Sequence, residues 1–346
     1  MQVERVLLAS PRGFCAGVQM AIKALAWMVR VFEPPVYCYH EIVHNQVVVE
    51  RFRDLGVVFV DDVSEVPEGR PVMLSAHGSA PEMVEAAREK GGAVVNAVCP
   101  LVTKVHHEVK LRASKGYTVI YVGHQGHEEA VGTMAVAPGA IHLVETVAEL
   151  EALPEPEGPV AFLAQTTLAV DEWRSILEAA ERRWPDLWVP GRSDLCFATT
   201  NRQTALRAIA GRCDAIVVIG SDNSSNTLAL VRTALSAGCP RALRVNRASE
   251  LPADLTGTVG VIAGASAPES LVEEVVAALA PALGTEEVAA VGEDEYFPLP
   301  RELRELLRNT AAVLSAATFA PAGVAPGPAL DGRDVEAAQV LATLDA

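Results

Sequence analysis

The sequence predicts an α/β protein made of three parallel-stranded units whose strand ends meet at one site. Three observations carry this prediction. Short apolar runs alternate with amphipathic stretches of helical length, the pattern of parallel βα units. Cys15, Cys99 and Cys196 are each placed at a strand-to-helix junction, in SPRGFCAG, NAVCPLVT and SDLCFATT. Two polar positions then follow each cysteine at similar intervals: His44, His127 and Ser224 lie 29, 28 and 28 residues on, and His77, Thr166 and Ser266 lie 62, 67 and 70 residues on. The three segments are not alike in sequence, so the repeat is one of architecture. Each polar position lies just beyond an apolar run, at the strand edge where open parallel sheets bind ligands.

In chain order, strands are predicted at 5–9, 36–39, 56–60, 71–75 and 93–97, at 118–122, 141–144 and 159–164, and at 215–219, 242–245 and 258–263. The first helix is predicted over 17–32, where Val18, Ala21, Ile22, Leu25, Met28, Val29 and Phe32 recur at helical spacing. The Pro-rich acidic run ALPEPEGP at 152–159 reads as a surface loop. These elements group into domains at 1–97, 98–194 and 195–283, followed by an extension at 284–346. The extension holds a short helical pattern, the Gly/Pro-rich APAGVAPGPALDGRD, read as a flexible link, and a last short helix.

A chain of 346 residues, half of them hydrophobic, suits two or three domains. The net charge of −16 argues against non-specific binding to nucleic acid or to an anionic membrane, which needs clustered Lys and Arg. A small anion held by a few local donors stays compatible with it. MQVERVLLAS is already a strand pattern and lacks the basic and apolar regions of a signal peptide. No apolar run reaches the roughly 18–20 residues that span a bilayer. The expectation is a soluble, cytoplasmic protein, in which six cysteines do not suggest a disulfide framework.

Convergence of Cys15, Cys99 and Cys196 would favour a soft metal or an iron–sulfur cluster. Three protein ligands leave one metal position open, as catalytic sites require. The alternative is three buried thiols near sheet edges, and spacing alone does not choose between the two. Cys38, Cys213 and Cys239 do not follow the junction pattern and read as buried. HEIVHN (40–45), SAHGSAPE (75–82) and GHQGHEE (123–129) carry five of the eight histidines. QTT (165–167), NSSN (223–226) and GASAPES (264–270) add hydroxyl and amide groups. Together they suit a phosphate or carboxylate, although neither a P-loop nor a GxGxxG fingerprint is present. Glu129, close to His127, is either a proton carrier or a solvated glutamate on the first turn of a helix; only the resemblance described below makes Glu128 the better fit to the second reading.

PRGFCAGV, HEIVHN, SAHG, CPLVTKVH, GHQGHEE, QTTL, CFATTNRQ, GSDNSSN and GASAPE occur in this order between residue 5 and about 280. They resemble the LytB/IspH family of hydroxymethylbutenyl diphosphate reductases. The resemblance implies three α/β domains in a pseudo-threefold arrangement around a central 4Fe–4S cluster. It implies Cys15, Cys99 and Cys196 as the three cysteine ligands, with one iron left open for the substrate alcohol. It assigns the diphosphate to His44, His77, His127, Ser224, Ser225, Asn226 and Ser266, with Thr199 nearby. Glu129, Thr166 and His127 become the catalytic set, Glu129 delivering the proton. The implied reaction converts (E)-4-hydroxy-3-methylbut-2-enyl diphosphate into isopentenyl and dimethylallyl diphosphate, the last step of the non-mevalonate isoprenoid pathway. Two electrons and a proton remove the hydroxyl as water, and a second proton then goes to one of two carbons. The implied electron donor is a protein such as ferredoxin or flavodoxin.

Several positions depart from the usual pattern. Gln19-Met20 stand where family members commonly read Asp-Arg. Asn96 and Val98 replace Asp and Thr of DATCPLV. Tyr39 and Asp222 stand where a basic residue is usual, and an arginine is lost in the Leu228-Ala229 stretch. Two readings stay open: ion pairs lost together, or a divergent paralogue with another allylic diphosphate-like substrate or donor. Asp222 is the change expected to weaken anion binding. Outside the family, the alternatives are another three-cysteine 4Fe–4S enzyme, such as a quinolinate synthase-like dehydratase, and a non-catalytic cluster-bearing sensor.

Overall fold

The structure is a computed structural model that describes residues 2–318 and 332–345. Its strands form three sheets, all with parallel pairing. The first sheet runs in the order Val57–Val60, Val36–Tyr39, Val72–Leu74, Val94–Asn96. The second runs Ile141–Val144, Thr118–Val122, Val160–Ala164. The third runs Ala242–Val245, Ala215–Ile219, Thr256–Ala263, Gln2–Ser10, Thr285–Ala289. Strands such as Val160–Ala164 and Ala215–Ile219 are buried along their whole length, which is why they read as unbroken apolar runs rather than alternating ones.

Each cysteine stands at a seam where the chain passes from one sheet to the next. The strand Gln2–Ser10 lies in the third sheet, but the helix Ala16–Val31 after Cys15 packs Ala21 and Leu25 with Cys38 and Met73 of the first. Val94–Asn96 closes the first sheet, and the helix Pro100–Ser114 after Cys99 packs Val105 and Val109 against Val119 and Leu163 of the second. The helix Phe197–Ala210 after Cys196 packs Leu206 and Ile209 against Ile216 and Val218 of the third. The cycle closes on itself, so the spacing repeat corresponds to a repeat in space.

Two expectations need correction. Cys196 is not preceded by a strand; a single parallel bridge between Trp188 and Ala161 stands in its place. The sheets also cut across the contiguous domain limits. The strand Gln2–Ser10 pairs with Thr256–Ala263 and Thr285–Ala289 instead of joining the first sheet, and Thr285–Ala289 lies beyond residue 283. A parallel sheet can recruit strands from both ends of a chain, and local pattern carries no mark of that.

The extension is part of the fold as well. Leu299 and Leu303 are buried in the first unit's core, as are Ala337 and Val340 of the helix Ala337–Ala342. Gln19, Lys23 and Arg30, all on the helix Ala16–Val31, hold this last segment. Gln19 Oε1 accepts from the Ala337 amide at 2.6 Å, and its Nε2 donates to Glu336. Lys23 Nζ donates to the Gly332 carbonyl at 3.3 Å and Arg30 to Thr343 Oγ1 at 2.8 Å. Gln19, one of the departures from the usual pattern, is thus a docking residue for the tail. Most of the Gly/Pro-rich link, 319–331, lies outside the described residues. Cys38, Cys213 and Cys239 are buried free thiols, as expected. No helix among the described residues is long and apolar enough to cross a membrane.

Candidate active site

Every residue singled out from the sequence lines one pocket at the centre of the three units: Cys15, Cys99 and Cys196; His44, His77 and His127; Glu129 and Thr166; and Thr199, Ser224, Ser225, Asn226 and Ser266. The convergence has a simple cause. The amides of Cys15, Cys99 and Cys196 donate to the carbonyls of Ala265, Ala76 and Thr166, each at 3.0 Å. Each acceptor lies in the loop beyond a strand of the preceding sheet. One backbone bond per seam therefore ties each cysteine to the loop that carries Ser266, His77 or Thr166.

At one end of the pocket sit the thiols. Cys15, Cys99 and Cys196 occupy the N-cap positions of three helices, where the helix dipole favours a thiolate. Burial, and then the charge of neighbouring Cys15, push Cys99 and Cys196 the other way, Cys196 to about 11. Three thiolates this close in a desolvated pocket need a cation between them. Gly17 leaves the room: a Cβ there would meet Cys99 Sγ at 2.9 Å and Cys15 Sγ at 3.9 Å. The donor set and this cradle fit an iron–sulfur cluster. Behind the Cys15 loop lies Arg202, 1 % exposed. Its Nε and Nη2 donate to the Gly13 carbonyl at 3.1 and 2.6 Å, and its Nη1 to Glu293 at 3.0 Å. Gly13 itself has φ +69, a conformation that favours glycine. Arg202 thereby joins the Cys15 loop, the Cys196 helix and the extension.

Glu129 stands between the two ends. It is 2 % exposed, which excludes the solvated reading. Its Oε1 accepts from the Thr166 amide at 2.7 Å and its Oε2 from Thr166 Oγ1 at 2.9 Å. Burial pushes its carboxyl up to about 7 even though both Thr166 bonds pull it down; the nearby Asp194 adds to the rise. Near neutral pH a large fraction of this group carries a proton, and Thr166 fixes its orientation.

At the other end, His44 and His77 stack with centroids 3.8 Å apart, and His127 meets both edge-on. His127 Nδ1 accepts from the Glu129 amide at 3.1 Å, so its proton is on Nε2. Among the described residues, no Lys or Arg lines the pocket. The hydroxyls are partly engaged. Ser266 Oγ donates to the His44 carbonyl at 2.8 Å, and Ser224 Oγ accepts from the Thr227 amide at 3.3 Å. Ser225 Oγ accepts from Gln165 Nε2 at 3.3 Å and lies 3.2 Å from His124 Nδ1. Asn226 Oδ1 accepts from the Ala265 amide at 3.0 Å, and its Nδ2 donates to Thr199 Oγ1 at 3.4 Å. Ser224 keeps its proton to donate to a ligand, whereas Ser266 spends its own on the backbone.

Three features escaped the sequence. Glu128, read as a solvated first-turn residue, is largely buried and bonds His77 across 51 positions; no local spacing marks such a pair. Phe297, in the extension, lines the pocket. Glu293, also in the extension, is the partner of Arg202. Of the departures, Asp222 is exposed and does not line the pocket, so its charge faces water. Asn96 Oδ1 accepts from the Val98 amide at 3.1 Å and shapes the turn into Cys99. Tyr39 is buried against the His40 ring.

A 4-hydroxy-3-methylbut-2-enyl diphosphate reductase from Beijerinckia indica is 46% identical over 308 residues, which cover 87% of this chain and 97% of the relative. One from Cereibacter sphaeroides is 48% identical over 307 residues, with 86% and 96% covered. The solved structure of the E-1-hydroxy-2-methyl-but-2-enyl-4-diphosphate reductase from Plasmodium falciparum superposes with a TM-score of 0.86 at 31% identity, over 90% of this chain and 99% of that one. The family model described as LytB protein matches residues 6–280, and the chain belongs to that family.

Proposed function

We propose that this protein reduces (E)-4-hydroxy-3-methylbut-2-enyl diphosphate to isopentenyl and dimethylallyl diphosphate, the final step of the non-mevalonate pathway, in the cytoplasm. The observation that carries the reading is the meeting, in one pocket, of three N-cap thiols, a buried carboxyl that holds its proton near pH 7 and a wall of histidines. Cys15, Cys99 and Cys196 hold a 4Fe–4S cluster that, when bound, supplies the electrons and a Lewis-acidic iron. The electrons come from a one-electron carrier such as ferredoxin or flavodoxin.

The chain's own residues do the rest. His44, His77 and His127, with Ser224, Ser225 and Asn226, bind the diphosphate; Ser266 joins them once its hydroxyl turns from the His44 carbonyl to the ligand, and Thr199 lines the wall between the diphosphate and Cys196. Glu129, oriented by Thr166, gives its proton to the departing hydroxyl, which leaves as water. His127 bonds the Glu129 backbone and so keeps the diphosphate site and the acid in register. Two electrons replace the broken C–O pair, and a second proton ends on carbon, so charge and atoms balance.

The test is anaerobic purification with iron and sulfide analysis, followed by turnover of the hydroxylated diphosphate with a chemical reductant. About four irons and four sulfides per chain, with turnover, are expected. Cys99→Ser should lose the cluster and Cys38→Ala should keep it. A loaded cluster without turnover would overturn the reductase reading. Retention of the cluster in Cys99→Ser together with its loss in Cys38→Ala would overturn the ligand assignment.

A further inference from the structure

An anionic substrate in a pocket that no Lys or Arg lines among the described residues raises the question of which group supplies positive charge. The three histidines differ in what stands behind each ring. His127 accepts a backbone N–H at Nδ1, and burial, then His44 and His77, push it down to about 3; it is a neutral Nε2–H donor. His44 has Glu41 Oε2 at 3.7 Å from Nδ1, a charge contact too long for a hydrogen bond, and burial followed by the charge of His77 lowers it. His77 alone has a close carboxylate: Glu128 Oε2 lies 2.8 Å from its Nδ1.

We propose that Glu128 is a positioning residue that holds His77 as an imidazolium, presenting Nε2–H to the anionic oxygens of the ligand. This rests on the reading of the pocket as a diphosphate site. A carboxylate only accepts, so the Nδ1 of His77 must carry a proton. To donate from Nε2 as well, the ring must be doubly protonated, and a hydrogen-bonded carboxylate on the far side favours that form. Glu128 is suited to the role. Burial alone would raise its carboxyl, yet the charge and hydrogen bond of His77 hold it down to about 2. The other charged and titratable groups around His77 fit as well. His44 is stacked on it and is disfavoured from taking a second positive charge, and His127 lies 6.2 Å away by ring centroids. His106 packs beside Gly78, where burial lowers it to about 4. Behind Glu128 stands His40, 4.0 Å from Oε1 and 3.7 Å from Asp61. Donor atoms of His44, His77 and Glu128 also lie within 4.8 Å of one another. The two rings are nearly parallel, at 12°, so their lone pairs run in separate planes and do not aim at one ion.

The experiment measures the affinity of the anaerobic holoprotein for inorganic pyrophosphate by calorimetry from pH 5.5 to 8, in the parent and in Glu128→Gln, His77→Gln and the double variant. Glu128→Gln should weaken binding about tenfold at pH 8 and less than about twofold at pH 5.5, where acid supplies the second proton without help. With the full substrate the loss should fall mainly on KM. In the His77→Gln background, Glu128→Gln should cost nothing further, which separates the proposed role from general damage to the loop. Equal losses at all pH values, an unchanged affinity, or a tenfold cost that persists without His77 would each overturn the role of Glu128. If the parent does not bind pyrophosphate at any pH, the diphosphate reading fails as well.

Discussion

At the two ends of the pocket the chain handles charge in opposite ways, and two consecutive glutamates show it. Glu128 turns toward His77 and is held as a carboxylate, down to about 2, by that neighbour. Glu129 turns toward Thr166 and is pushed up to about 7 by burial. Successive residues on a helix point about 100° apart, so one turn serves two walls. The cysteine end rests on a buried cation, Arg202, whereas among the described residues no Lys or Arg lines the histidine end. Identical side chains thus differ in how firmly they hold a proton because their neighbours differ.

The largest expected effect breaks the protonated half of this pair. Glu129→Gln keeps the shape but removes the transferable proton, so turnover should fall by about 10²–10⁴-fold while pyrophosphate affinity stays within about twofold. In the parent, the turnover attributable to this acid should decline as pH rises through about 7. The same group has a stability signature. Its folded value lies above the ordinary carboxyl value of about 4.3, so its contribution is full below that value and is lost as pH rises through about 7. Unfolding free energies at pH 5.5 and 8 should therefore differ by less in Glu129→Gln than in the parent; an equal difference in both removes the assignment.

A smaller effect probes the cation under the cysteine end. Arg202→Met leaves Glu293 without its partner and the Gly13 carbonyl without its donors. A cost of about 3–5 kcal/mol is expected in anaerobic denaturant unfolding. Adding Glu293→Gln should recover part of it, since no unpaired charge then remains. No recovery would show that Arg202 acts through packing alone.

The smallest effect lies outside the pocket, at the clasp between the extension and the helix Ala16–Val31. Gln19→Ala removes the bonds to Ala337 and Glu336 and should cost about 1 kcal/mol. The loss should appear as faster amide exchange over 332–345, with exchange at the His77 loop unchanged.

Much of the site is legible in the sequence. Cys15, Cys99 and the loops of His44, His77, His127, Thr166, Ser224 and Ser266 can be found there because parallel units place function at strand ends, and strand ends are visible as apolar runs giving way to polar loops; Cys196, which no strand precedes, is marked only by the helix that follows it. The other parts have no local signature. Glu128 reads as a solvated helix start because its partner lies 51 positions away. Phe297 and Glu293 lie in a segment whose pattern suggests a loose tail. The strand Gln2–Ser10 looks like any first strand and pairs with Thr256–Ala263 and Thr285–Ala289 from the far end of the chain.

By itself, the sequence determined the parallel α/β architecture, the threefold spacing of cysteines and the chemical types gathered at the strand ends, because periodicity and residue identity are local properties. Only the tertiary structure decided which carboxyl carries a proton, which histidine has an anion behind it and which arginine lies under the cysteine loop. Charge state depends on burial and on neighbours a few ångströms away in space, and along the chain those neighbours are tens to hundreds of residues apart.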